Sequence, residues 1–289
     1  MKLNTYVESK LQEIVDQMVA SLEKGDIPWH KPWNGTPMVP HNFTTGKDYA
    51  GILNPIILWM AGYGDTRWAG GGQLRKSGAT ILPGNEKKGT PIFAPILKGY
   101  WFTDDDGSRR KGSKLIGWRV VWVFNAEQCD GIPAAEVIED IDPTVGYERA
   151  AALLEASGIK VTHQGNRACY SPKGDSITMP PAGAFTSLDH YWATMMHELT
   201  HATGHSSRLA RKGIGSFKTH SDYAFEELVA EMGSAFLCQV IGVNRSDIMD
   251  NHEAYINSWI RALKRDPQVL LEAAGQARKA MDYVLKLEE

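Results

Sequence analysis

Five consecutive residues, His197-Glu198-Leu199-Thr200-His201, constrain this 289-residue chain more than any other feature. On an α-helix, residues four apart share a face, so the segment is read as a helix from which both imidazoles can reach one ion. Between them Glu198 projects beside the rings, toward the water that a bound ion would activate. The flanks agree with a helix. Thr186 and Asp189 offer a capping-box pair at its start, and Gly204 stands where a helix can stop. An extended segment, Ser176 to Met179, precedes it. A helix for ligands and an edge strand for substrate is the arrangement a zinc peptidase requires.

Two histidines leave a tetrahedral site short of one protein ligand. The three cysteines, Cys129, Cys169 and Cys238, lie far apart with no C-x-x-C pair, so a metal would be held by histidine and carboxylate. The later run FEELVAEM supplies Glu226, Glu227 and Glu231. Glu227 is the expected third ligand and catalysis is assigned to Glu198. Glu231, four residues on from Glu227 and on the same face, is expected to hold a ligand imidazole in its tautomer, and Glu226 is read as part of a solvated face. His205 continues the spacing of His197 and His201, but Gly204 breaks the helix before it, so it is expected to support the site rather than bind. Tyr223 and His220 are candidates to stabilise an oxyanion. The expected cofactor is Zn2+, with Mn2+ or another divalent ion also compatible with such donors.

Length favours two domains over one. With 43% hydrophobic and 22% charged residues, the chain has the composition of a globular protein rather than a disordered one. Residues 5–24 repeat apolar side chains at helical spacing, residues 28–51 read as an ordered loop, and residues 53–63 as a short helix. After a Gly-rich turn at 69–72, strands are predicted at 79–82, 91–97 and 118–124, with a polar insert at 104–114. The Pro/acidic stretch 131–146 is the expected linker between domains 1–130 and 147–289. The second domain begins with a helix at 147–156, a strand at 159–163 and a hairpin over 168–179. Helices at 187–202, 223–241, 252–264 and 267–287 then dominate, so the fold class is α+β. No apolar run approaches the ~20 residues of a membrane helix. The start MKLNTYVESK lacks the apolar core of a signal peptide, so no membrane partner and a cytoplasmic location are expected.

Charge is unevenly spread. Residues 67–119 hold 11 basic against 4 acidic side chains, while the whole chain is at −3, and a basic field inside an acidic protein points to an anionic partner. Seven of the nine tryptophans fall before residue 125 and overlap that window. Aromatic faces stack unpaired bases while Lys and Arg follow the phosphates, which is how single strands are gripped without sequence reading. Trp29, Trp33, Arg67, Arg75, Lys76, Trp101, Arg109, Arg110 and Lys111 are the DNA-binding candidates, with Tyr100 and Phe102 beside them. Trp118 and Trp122, in an alternating apolar run, are expected in the core.

The stretch PWHKPW, the run from Pro40 to Gly51, the Gln73 region and VFNAEQ at 123–128 resemble the N-terminal ssDNA-binding domain of the ArdC antirestriction family. Where that family usually has Trp-x-Thr before the Gln, this chain has Trp68-Ala69-Gly70-Gly71-Gly72. MMHELTHATGH followed by FEELVAEMGSAFL resembles the zincin-like, gluzincin-type metallopeptidase domain joined to it. The resemblance implies a conjugative-plasmid protein that binds single-stranded DNA and protects incoming DNA from host restriction. His197, His201 and Glu227 would be its metal ligands and Glu198 its catalytic carboxylate. Two other readings remain open at this point: a strand-binding protein whose metal is only structural, and a DNA-directed protease acting on a host protein.

Overall fold

The computed structural model describes residues 3–29, 39–49, 51–134, 142–212, 214, 219–245 and 252–286. Helix α1 (Thr5–Leu22) starts where Asn4 accepts the Val7 N–H at 3.0 Å, and it buries Val7, Leu11, Ile14, Val15, Met18, Val19 and Leu22 along one stripe. The expected loop at 28–51 contains a short hairpin, β1 (His41–Asn42) and β2 (Lys47–Asp48); its residues 30–38, Trp33 among them, lie outside the described residues. Helix α2 (Leu53–Met60) follows.

The Gly-rich segment is not a turn. Strand β3 (Arg67–Gly70) runs directly into helix α3 (Gly71–Ser77). The Gln73 side chain makes the junction, accepting from the Gly70 N–H at 3.0 Å and from Asn42 Nδ2 at 2.9 Å. Strand β4 (Thr80–Ile81) precedes two strands much longer than predicted, β5 (Thr90–Thr103) and β6 (Arg109–Asn125). The polar insert is thus mostly strand. Its residues 109–114 pair one by one with 98–103, and only the short connection between Thr103 and Arg109 turns. Cross-strand pairing satisfies that backbone despite its polar side chains. These elements give a sheet of order β2-β1-β3-β6-β5, and β4 pairs separately with β7 (Cys129–Asp130).

Helix α4 (Pro143–Ser157) begins inside the segment read as a linker, capped by Asp142, whose carboxylate accepts the Thr144 N–H; residues 135–141 lie outside the described residues. A second sheet of order β8-β10-β9 follows, from β8 (Lys160–His163), β9 (Cys169–Ser171) and β10 (Ser176–Met179). The segment expected to be an edge is the middle strand, paired on one side with β8 and on the other with β9, so the outer strands of this sheet are β8 and β9. Helices α5 (Leu188–Ala202), α6 (His220–Ile241), α7 (His252–Arg265) and α8 (Gln268–Leu285) complete the chain. The cap of α5 is Ser187 rather than Thr186: its hydroxyl accepts the His190 N–H, while Thr186 bonds the His190 ring.

One apolar cluster joins the side chains of α1 and α2 to those of α5, α6, α7 and α8. Helix α1 packs against α7, and Trp29 meets Trp259 edge-on at 5.5 Å. Among the described residues no helix is long and apolar enough to cross a membrane. The fold is α+β.

Candidate metal centre

Helices α5 and α6 lie unusually close. A Cβ on Gly233 of α6 would come within 2.8 Å of Thr200 Cγ2 on α5, so only glycine admits this approach. The contact brings the two sequence signals together. From α5 come His197 and His201, with Nε2 atoms 3.1 Å apart. From α6 comes Glu227, with Oε2 3.5 Å from the Nε2 of His197 and Oε1 3.5 Å from that of His201. Four ligands about 2.05 Å from a tetrahedral ion stand about 3.3 Å from one another, and the three observed separations, each ring measured to the Glu227 oxygen that faces it, fall around that value. Among the described residues these three form the group able to hold a metal ion.

The far sides of the rings explain why the arrangement is fixed. His197 Nδ1 lies 3.2 Å from Glu231 and His201 Nδ1 lies 3.2 Å from Glu226. Carboxylates only accept, so both Nδ1 atoms donate and both Nε2 atoms turn lone pairs toward Glu227. Three acceptors converging on one point is an arrangement that a cation stabilises and its absence penalises. With no ion, protons fill that role. Burial alone would lower the imidazole pKa values, but Glu227 and Glu231 hold His197 up at about 10, and Glu226 and Glu227 hold His201 up at about 9. Glu227 itself stays a carboxylate, since its two histidine partners outweigh the burial that would raise it.

Each of the two supporting glutamates is held by a buried arginine. Arg211 reaches Glu226 through Nε at 3.0 Å and Nη2 at 2.6 Å, and also bonds Thr203 Oγ1 and the carbonyls of Thr200 and His201. Arg245 reaches Glu231 at 2.8 Å and Ser234 Oγ at 2.6 Å. The solvated-face expectation for Glu226 is therefore wrong: it is 1% exposed because its charge is spent on Arg211 and His201. Neither arginine is legible from spacing, since both come from segments after helix ends.

Glu198 sits on the ligand helix between the two histidines, and its Oε2 accepts the backbone N–H of Tyr170, on β9, at 2.6 Å. The Tyr170 hydroxyl is tied in turn to Asp175, and Asp175 pairs with Arg208, which also donates to the Ala202 carbonyl at 2.7 Å. His205 bonds Ser207 and does not approach the ligand trio. Tyr223 lines the same cavity of about 270 Å³, bonded to Tyr255 at 3.1 Å. Burial, followed by Tyr255 and Glu227, raises its pKa so far that the phenol keeps its proton. The His220 side chain lies outside the described residues.

The DNA-binding candidates scatter. Trp29 is 2% exposed, packed on Trp259, so no base can stack on it. Trp122, expected in the core, is instead exposed, with Tyr6 bonded to its Nε1 and Lys10 over its ring. Arg67 is occupied by Asp65 and the Pro133 carbonyl. Arg75 and Lys76 stand exposed at the end of α3. Trp101, Arg109, Arg110 and Lys111 gather on the outer half of the β5–β6 pair, where Arg109 lies over the Trp101 ring at 5.2 Å.

A family model described as the N-terminal domain of anti-restriction factor ArdC matches residues 8–124, and one described as a zincin-like metallopeptidase matches residues 148–276. DNA primase TraC of Escherichia coli is 39% identical over 295 residues, 96% of this chain and 27% of that protein. A second TraC from the same species is 39% identical over 298 residues and is covered to 20%. The chain thus spans about a quarter or less of the length of these curated relatives. The metal-free crystal structure of the antirestriction protein ArdC from the R388 plasmid superposes with a TM-score of 0.74 at 34% identity, covering 96% of this chain and 97% of that one. Its Mn(II)-bound form gives 0.72 at 33% identity over the same shares. With likeness of that extent along both chains, this protein belongs to the ArdC antirestriction family.

Proposed function

We propose that the chain protects incoming plasmid DNA from restriction, gripping single-stranded DNA with its N-terminal region and cutting peptide bonds at a zinc ion held by His197, His201 and Glu227. The observation that carries the hydrolytic part is the convergence of two imidazole lone pairs and one carboxylate within 3.5 Å of one another. A Mn(II)-bound relative supports a divalent ion at such a site. A divalent ion there supplies Lewis acidity, polarising a carbonyl and acidifying water. Glu198 is the general base, its carboxylate oriented by the Tyr170 N–H. The protonated phenol of Tyr223 is placed to donate to a developing oxyanion.

Strand binding is supported by the exposed, basic and aromatic outer half of β5 and β6. Trp101, Arg109, Arg110 and Lys111 are its contact residues, with Arg75 and Lys76 as outlying cations. We place the functional division at 131–146, with DNA binding before it and the metal site after. Because α1 and α2 share their core with the metal helices, point variants test this better than removal of residues 1–130.

The test combines elemental analysis, strand binding and restriction protection in Glu198→Gln. Bound zinc near one equivalent, intact ssDNA binding and lost protection are expected. Full protection by this variant removes the hydrolytic role and leaves a metal that only supports the fold.

A further inference from the structure

The β5–β6 pair continues past the sheet as a two-stranded ribbon with, among the described residues, no third layer on either face. Between Pro95 and Ile116, every residue except Asp104 and Gly112 is exposed. From the Leu97↔Leu115 pair to Thr103↔Arg109 the ribbon extends about 20 Å at ~3.3 Å per residue. Successive side chains alternate between its faces. One face carries Trp101 with Arg109 and Lys111, and the opposite face carries Tyr100 and Phe102 with Lys98, Lys114 and Arg110. Each face therefore has its own rings and its own cations.

Three details show that the second face is built for an anion and a flat ring. Lys98 and Lys114 stand directly opposite each other, a like-charge pair that destabilises the ribbon by itself. Tyr100 lies across Gly112, where a Cβ would come within 2.8 Å of the ring, and its centroid is 5.9 Å from that of Phe102. Among the described residues, Lys98, Lys111, Lys114 and Arg109 have no carboxylate partner; the ribbon's ion pairs are those of Arg110 with Asp104 and Asp106 at the tip.

A single strand laid along one face leaves the other set of rings and cations unused. We propose that the ribbon enters a DNA fork, one separated strand running along each face, so that the protein selects the boundary between single- and double-stranded DNA over a continuous single strand. This rests on the reading that the region binds single-stranded DNA. In that pose the acidic turn at the tip faces the stacked end of the duplex, while the phosphates pass to either side over the lysines and arginines.

Fluorescence anisotropy on a single strand, a blunt duplex and a fork with two unpaired arms tests it, using the full-length protein. The second arm binds intramolecularly, so the fork is expected to bind at least about tenfold tighter than the single strand. Trp101→Ala and Tyr100→Ala/Phe102→Ala each disable one face, and each is expected to abolish the preference, so that the variant binds fork and single strand with equal affinity. Equal affinity for fork and single strand overturns the inference and leaves strand binding standing. Failure to bind any unpaired DNA overturns the strand-binding reading as well. A self-associating protein that Trp101→Ala turns into a monomer in sedimentation would instead make the ribbon a contact between copies, and would also overturn the inference.

Discussion

Removing Arg211 tests whether the site is held from behind. The guanidinium and the Glu226 carboxylate are both almost fully buried, at 2% and 1% side-chain exposure, and meet through two hydrogen bonds of 3.0 and 2.6 Å. Arg211→Met leaves the Glu226 charge buried with His201 as its remaining partner, while the Thr203 hydroxyl still donates to the Thr200 carbonyl. Breaking a buried pair from one side costs about 3–5 kcal/mol. Glu226→Gln, which leaves the guanidinium charge uncompensated, should cost a similar amount for the same reason. The double variant removes both charges, so its loss should match one single variant rather than the sum, a coupling of roughly 3 kcal/mol. Urea unfolding followed by far-UV circular dichroism, on parent, singles and double in chelator, gives the four free energies. If the two single losses add to the double loss within about 0.5 kcal/mol, the residues do not act as a pair and the reasoning fails.

Adding zinc to metal-free protein at about 100 times its dissociation constant should stabilise the fold by about 2.7 kcal/mol, and a chelator should remove that gain; a melting temperature indifferent to both would deny the site an ion. Glu231→Gln weakens the hold on His197 Nδ1 and should lower zinc affinity about 10–100-fold in a chelator competition, with unchanged affinity as the refuting result. Asp175 is held below the usual carboxylate range mainly by its hydrogen bonds to Arg208 and also by Tyr170, despite some burial. A depressed folded pKa means stability that is present above the unfolded value and lost as pH falls through the folded one. Asp175→Asn should lower stability near neutrality and flatten its fall over that acidic window, so that the gap to the parent closes as pH drops; parallel acid-denaturation curves for parent and variant would refute the assignment.

The trio able to hold a metal ion was legible because such chemistry imposes a period. His197 and His201 must be one turn apart on a helix, and Glu227 with Glu231 repeat that spacing on the next ligand helix. What holds the rings was not legible in full. Glu226 looked solvated because its partner, Arg211, comes from an irregular segment whose position depends on the tertiary fold; the same applies to Arg245. The polar ribbon was misread for a related reason. Alternation of apolar and polar residues marks a strand only when one face is buried, and beyond Pro95 neither face is. Trp29 and Trp122 exchanged their expected places because sequence context reports local polarity, whereas burial was decided by α1, which crosses to pack on α7 and draws Trp29 in with it. Strand β10 matched in extent but not in role, since sheet order is invisible in a single segment.

The formal charges around the centre explain why a divalent ion suits it. Glu198, Glu226, Glu227 and Glu231 contribute four negative charges, and Arg211 and Arg245 return two positive ones, so the buried set stands at −2 when both imidazoles are neutral. Uncompensated charge at such depth is costly. A monovalent cation leaves one charge unmatched and a trivalent one overshoots, whereas a single divalent ion brings the sum to zero while satisfying all three converging donors. The arginines are then more than struts. Without them the same ligands would stand at −4, and the cluster could not be neutralised by one divalent ion. Selection for a +2 ion thus resides partly in two residues that lie behind the first ring of donors, which is why the perturbation at Arg211 reaches the heart of the site.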